Sequence, residues 1–376
     1  MKKEEQIFRY HWIPEAMVRE WADENGSVSC IEREDGRESL TVRDASTLFT
    51  KDFSVGPSVE IPECLESFTS EGNRAGLQTL ISGNNPDYPD VNPFWAAAQL
   101  VAEMYYKTER GHGVPGTGKG RGEMTLESLI ECDKRIEFSV NSLVDLKYDV
   151  VHAPDGEEFV LGDEPLYIGN ALTPEITDNE RDIFSLSGAF FLVPVTPKRA
   201  VVVFDASVYF TRVDSDKRIV LSPYDVAAIN IHIMNQSRTI AVRNGTEDYS
   251  QLCLYLLHAV KREREPDSGF LSFLGIIDGK DESRGKIREY CLCLEAFRKD
   301  EIASRGIEPF SQEADEKEND FLLKWIFSQI EKNKREAASR ESEDGKDGED
   351  NGKTEKTQEE KDVACPPAAS ADMAGR

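Results

Sequence analysis

The stretch Ala189-Phe190-Phe191-Leu192-Val193-Pro194-Val195-Thr196-Pro197-Lys198-Arg199-Ala200-Val201-Val202-Val203-Phe204 decides the fold class. Residues 189–195 and 200–204 are short runs of aliphatic and aromatic residues, the types that suit a strand. Similar runs at 147–152, 158–161 and 218–221 make this part of the chain a small, mostly antiparallel sheet. Ser222-Pro223 then opens a helix to about residue 236, with Ser222 as cap and Pro223 in the first turn, and 239–243 returns as a strand.

Working outward, the N-terminal half reads as helical. Pro14 starts a short amphipathic helix over 14–23, with Met17, Val18 and Trp21 on one face and Gly26 closing it. Runs at 27–33 and 38–43 form a hairpin through Glu34-Asp35-Gly36-Arg37. Helical periodicity follows at 60–82, 93–110 and 125–142. Helices are expected again at 247–263, 282–304 and 312–337. From about residue 340 the chain is Glu, Asp, Lys, Gly and Ser, too poor in apolar residues to offset the entropy of ordering. The expected architecture is α+β: a helical N-terminal half packed with a small sheet (1–245), a C-terminal helical extension (246–338) and a disordered acidic tail (339–376).

Forty-five Lys and Arg against 71 Asp and Glu leave a net charge of −26, which disfavours broad coating of nucleic acid. An acidic, metal-dependent nuclease remains compatible with that charge. No run approaches the roughly 18 apolar residues of a membrane span, and no apolar signal stretch follows Met1, so a cytoplasmic, membrane-free protein is expected. The seven cysteines show no CxxC spacing and read as reduced, buried small hydrophobes.

Gly113-Val114-Pro115-Gly116-Thr117-Gly118-Lys119 fits the phosphate-loop spacing, but Gly120 stands where a Ser or Thr would coordinate magnesium. The preceding residues read as a helix, whereas such a loop follows a buried strand, so a surface loop is expected. Asp205 resembles a magnesium-binding strand end, without a neighbouring Glu to act as base.

Two polar signatures remain. Tyr10-His11-Trp12-Ile13-Pro14, continuing to Asp23, resembles the opening of a mainly microbial family, domain of unknown function 4238. The resemblance continues in order through the acidic helix with Glu66 and Glu71, the helix with Gln99, and Phe159-Val160-Leu161-Gly162-Asp163-Glu164-Pro165. Val193-Pro194-Val195-Thr196-Pro197 and the region from Ile229-Asn230 to Arg238 complete it, over about residues 8–243. The family has no assigned chemistry. It usually carries Ser where this chain has Gly162, and Arg where it has Ala102.

His11, fixed before a helix, suits metal ligation or proton transfer, or equally a cap or core position. Asp163 ends a strand-like run, where a carboxylate holds a metal or braces a turn. Glu66 and Glu71 lie about 140° apart round a helix, so a straight helix would not bring both to one metal. Glu63 and Glu66 are better aligned, although an acidic face on so negative a chain is ordinarily only solvated. His152, Asn230 and Arg238 could complete a polar pocket; His112 belongs to a loop.

Two functions follow. One is a metal-assisted hydrolase, such as a phosphodiesterase or nuclease, with His11, Asp163 and Glu71 catalytic and His11, Asp163 and Glu66 holding a divalent metal. The other is a noncatalytic binding or regulatory protein whose polar signatures are structural. The C-terminal helices would suit a protein partner.

Overall fold

The computed structural model describes residues 6–34, 37–55, 68, 71–83, 93–108, 125–172, 183–215, 217–243 and 271–288, with scattered positions between 290 and 335. Residues 1–310 form one compact unit and 311–376 a second. In the second, the described residues between 313 and 335 are helical. The tail beyond 335 and most of the expected helices at 247–263 and 282–304 lie outside the described residues.

The architecture is mixed α and β, but the N-terminal half is strand-rich and not chiefly helical as expected. Strand β1 (Gln6–His11) leads into the short helix α1 (Glu15–Val18), prolonged by a 3-10 turn at Arg19–Trp21. The hairpin β2 (Ser27–Glu34) and β3 (Arg37–Asp44) follows as read from the sequence, and then β4 (Thr50–Val55). The β1 and β4 strands pair antiparallel as a ribbon of their own, Phe8 opposite Phe53 and Arg9 opposite Asp52. They escape a reading of hydrophobic runs because each is six residues long and half polar. Only Phe8 and Tyr10 of β1 turn inward, while Ile7 is exposed.

Three helices follow: α2 (Glu71–Ser82), α3 (Phe94–Tyr106) and α4 (Leu126–Ser142). Thr125 and Ser128 cap α4 reciprocally. Next come β5 (Lys147–His152), β6 (Leu161–Gly162), β7 (Tyr167–Asn170), β8 (Ala189–Thr196), β9 (Arg199–Phe204), β10 (Tyr209–Thr211) and β11 (Ile219–Val220). Helix α5 (Pro223–Gln236) begins as expected, its Ser222 cap paired with Asp225, and β12 (Thr239–Val242) and β13 (Leu274–Ile276) complete the set.

The central sheet runs β11-β5-β9-β8-β7, antiparallel except for the short parallel pair β11 and β5. Every residue of β8 is buried, because both faces of the sheet are covered. Phe191, Val193, Val201 and Val203 enter one core with α2 and α3; Phe190, Leu192, Val202 and Phe204 enter another with α5. Such two-sided burial explains why 189–204 is almost continuously apolar. A second sheet, β3-β2-β12-β6, pairs the N-terminal hairpin with the end of the fold.

Candidate functional site

The opening signature is chiefly a packing device. Trp12 N–H donates to the Phe49 carbonyl, and the Pro14 carbonyl accepts from Met17 and Val18 as α1 starts. Ile13, Met17, Val18 and Trp21 are fully buried. The Trp21 indole N–H donates to the Phe159 carbonyl at 3.0 Å, so this signature reaches the start of the Asp163 segment.

Residues 158–166 cross the core with little strand pairing, so their backbone needs side-chain partners. Asn230 on α5 accepts from Val160 N–H at 3.0 Å and donates to the Glu158 carbonyl at 2.8 Å. Gln236 donates to the carbonyls of Glu164 and Leu166, and the Ser237 hydroxyl accepts from Glu164 N–H. Asp163, itself buried, accepts from Arg238 N–H at 3.0 Å on one oxygen and from Thr239 N–H at 3.2 Å on the other. Its carboxylate therefore fixes the turn between α5 and β12. Gly162 is demanded by the same bracing: a Cβ there would lie 2.0 Å from the Ser237 hydroxyl oxygen and 2.7 Å from an Ile233 methyl.

His11 ends β1 opposite Thr50. It is half-buried, its Nδ1 is enclosed without a hydrogen-bond partner, and burial lowers its pKa against the opposing charge of Glu15, with Arg9 adding to the fall. Glu63 and Glu66 lie outside the described residues, as do His112 and the glycine-rich loop at 113–119. Glu71 begins α2, with its side chain outside the described set. Among the described residues no group of three or more His, Cys, Asp and Glu is placed to hold a metal. Asp205 braces a turn: one oxygen accepts from Gly188 N–H and the Ser187 hydroxyl, the other from Ser207 N–H and hydroxyl. His152 ends β5, its pKa lowered by burial and then by Arg199 and Arg218. Cys30 and Cys132 are buried, as expected.

The polar cluster that sequence reasoning missed lies on α3. Glu103 and Lys107 are each only 1% exposed, with the ammonium 3.6 Å from Glu103 Oε1. Gln99 donates to that same oxygen at 2.6 Å, and Asn73 of α2 donates to Gln99. Glu103 Oε2 is buried without a hydrogen-bond partner among the described residues, and so is the Tyr10 hydroxyl of β1. The Lys107 ammonium lies 5.9 Å from the centre of the Tyr10 ring. Burial holds the Tyr10 phenol well above its ordinary pKa, and the charge of Glu103 adds to the shift, as do Cys132 and Asp133. Gln99, Glu103 and Lys107 recur every four residues along one stripe, a signal present in the sequence but hidden within the apolar periodicity of 94–106.

Fold and geometry together define an α+β protein whose central sheet is covered on both faces and whose Asp163 segment is braced from α5. Residues 122–246 match the family described as Protein of unknown function (DUF4238), which the motifs resemble. The matched stretch holds α4, β5 to β12, α5 and the Asp163 segment; the His11 signature and α3 precede it. Ala102, where the family resemblance leads one to look for Arg, is a fully buried core residue on α3. No curated protein and no solved structure matches the chain.

Proposed function

We propose that this chain is a noncatalytic binding or regulatory protein in which the Asp163 signature is structural. The observation carrying this reading is the carboxylate of Asp163, whose two oxygens each accept a backbone N–H across the α5–β12 turn. Leaving those amides unpaired would cost about 1–3 kcal/mol each, reason enough for an Asp at this place without any chemistry. The second reading, a divalent-metal-assisted phosphodiesterase or nuclease using His11, Asp163 and Glu66 or Glu71, has one observation in its favour: the unpartnered Nδ1 of His11, whose pKa burial lowers. A cytoplasmic setting and a protein partner for the C-terminal helices belong to this proposal.

The test is thermal melting of the wild type, His11→Ala and Asp163→Asn with and without manganese or magnesium, followed by assay on phosphodiester substrates. Ligand binding to the native state raises its apparent stability, so a resident metal site would announce itself as an ion-dependent shift. The expected result is no such shift, with Asp163→Asn simply less stable. A shift in the wild type that both folded variants lose would establish the hydrolase reading instead.

A further inference from the structure

Strand β3 is the outer strand of the sheet β3-β2-β12-β6, and among the described residues no strand pairs with its free side. It pairs with β2 without a break, from Glu34 opposite Arg37 to Ser27 opposite Asp44. On β2, Arg33 N–H donates to the Arg238 carbonyl on the β12 side, and beyond β3 Ala45 N–H donates back to the Gly26 carbonyl. Backbone groups alternate in direction along a strand, so the odd-numbered residues of β3 face β2. Glu38, Leu40 and Val42 therefore turn both N–H and C=O to the open side.

The side chains of Leu40 and Val42 are open too. Ile240, Ile31 and Leu40 lie in one row across β12, β2 and β3, and Val242, Ser29 and Val42 in the next. Ile31 and Ile240 are buried, whereas Leu40 is 59% and Val42 64% exposed, so both rows end in the open. Natural edge strands are ordinarily blunted by Lys, Pro or a bulge, and β3 carries none of these. Water can satisfy the outward backbone groups, but an added strand would satisfy them and cover Leu40 and Val42 together.

Charge selects what that strand carries. Glu38, Leu40, Val42 and Asp44 share one face in the order acid, apolar, apolar, acid. A second copy pairing antiparallel about a two-fold axis has two full registers. One, centred on Thr41, matches Leu40 with Val42 but sets Glu38 against Asp44; the other, centred on Leu40, sets Arg37 against Arg43. Like charges directly opposite destabilise a sheet, and two chains of net charge −26 repel. Arg33 takes one oxygen of Glu38 at 2.9 Å and Ser46 N–H one oxygen of Asp44 at 2.8 Å, which leaves the second oxygen of each for a base. On the opposite face Arg43 is paired with Glu32 at 2.7 Å, and Ser39 and Thr41 suit neutral polar neighbours.

We propose, resting on the noncatalytic binding reading, that the open edge of β3 takes an extended segment of a partner protein as a fifth, antiparallel strand, with apolar residues opposite Leu40 and Val42 and a Lys or Arg opposite Glu38 and Asp44.

The probe is the fluorescein-labelled peptide Lys-Thr-Val-Thr-Leu-Thr-Lys, titrated with the full-length chain and followed by anisotropy. It should bind saturably. The same peptide with Glu at both ends should bind about tenfold more weakly at low salt, the scale of two exposed charge pairs reversed, and the gap should close as salt rises. N-methylation of the peptide's Val and Leu, whose amides face β3, should abolish binding, whereas N-methylation of its Thr residues should not. Leu40→Thr combined with Val42→Thr keeps uncharged, strand-forming residues at exposed positions, so it should melt near the wild type while binding the probe about tenfold more weakly. No saturable binding, equal binding of the Glu peptide at low salt, equal loss from either N-methylation, or wild-type affinity in the double variant would overturn the inference. So would a concentration-dependent dimer in sedimentation that the double variant loses, which would give the edge to a second copy. A metal-dependent stability shift alongside probe binding would overturn the noncatalytic reading and leave this surface standing.

Discussion

The Asp163 segment and the Glu103 cluster are both buried, polar and built partly from a helix, yet their hydrogen bonding is opposite in kind. Around Asp163, side chains of Asn230, Gln236 and Ser237 supply bonds that an irregular backbone lacks. Around Glu103, two side-chain oxygens are enclosed and left over. The first arrangement answers a need of the folded chain itself; the second answers none that the described residues present. A polar signature is therefore better judged by what its atoms satisfy than by its place in a motif.

The contrast is sharpest in the ion pair. Glu103→Ala takes one carboxylate from the buried Lys107 ammonium and should cost up to about 3–5 kcal/mol, whereas Glu103→Leu combined with Lys107→Met should recover most of that loss, because an apolar pair of similar volume replaces a buried ion pair at little cost. Urea denaturation of all three chains decides it; a double variant no better than the single would mean that the cluster braces the fold as Asp163 does. Asp163→Ala should come next, at about 1–3 kcal/mol per stranded amide, with Asp163→Asn milder because its carbonyl oxygen still accepts one N–H. If Asp163→Ala melts like the wild type, the bracing role is wrong.

A smaller effect attaches to the imidazoles. The folded-state pKa values of His11 and His152 are lowered, chiefly by burial. The unfolded chain therefore binds protons first, and the stability these residues contribute is present above the ordinary histidine pKa of about 6.5 and lost as pH falls through it. Melting midpoints measured from pH 7.5 to 5 should decline, and His11→Gln should flatten the decline; an identical slope in the variant would remove His11 from the account. The smallest effect belongs to the acidic end of the chain: deleting 340–376 should leave the midpoint almost unchanged, since its composition offers little apolar surface to bury. A loss of several degrees would refute that.

Much of the fold was legible because it is written locally. The β2–β3 hairpin, α4 and its start at Thr125, β5, β8, β9 and the Ser222-Pro223 opening of α5 all follow from period, cap and turn chemistry within a few residues. The β1 and β4 strands were missed because half of each is polar and their partnership spans the whole β2–β3 hairpin. Helix α3 was read correctly as a helix, and Gln99 was noted on it, yet its apolar majority drew the eye from Glu103 and Lys107, which follow at four-residue spacing.

The sequence alone determined the mixed α and β class, the strand character of 189–195 and 200–204, the absence of a long apolar span among the described helices, and two signatures worth attention. Only the tertiary structure decided what those signatures do. Asp163 meets amides 75 residues further along the chain, and Trp21 meets a carbonyl 138 residues away. Whether a buried polar atom is satisfied depends on such distant backbone groups arriving within about 3 Å at the right angle, and no local pattern of residues records their arrival.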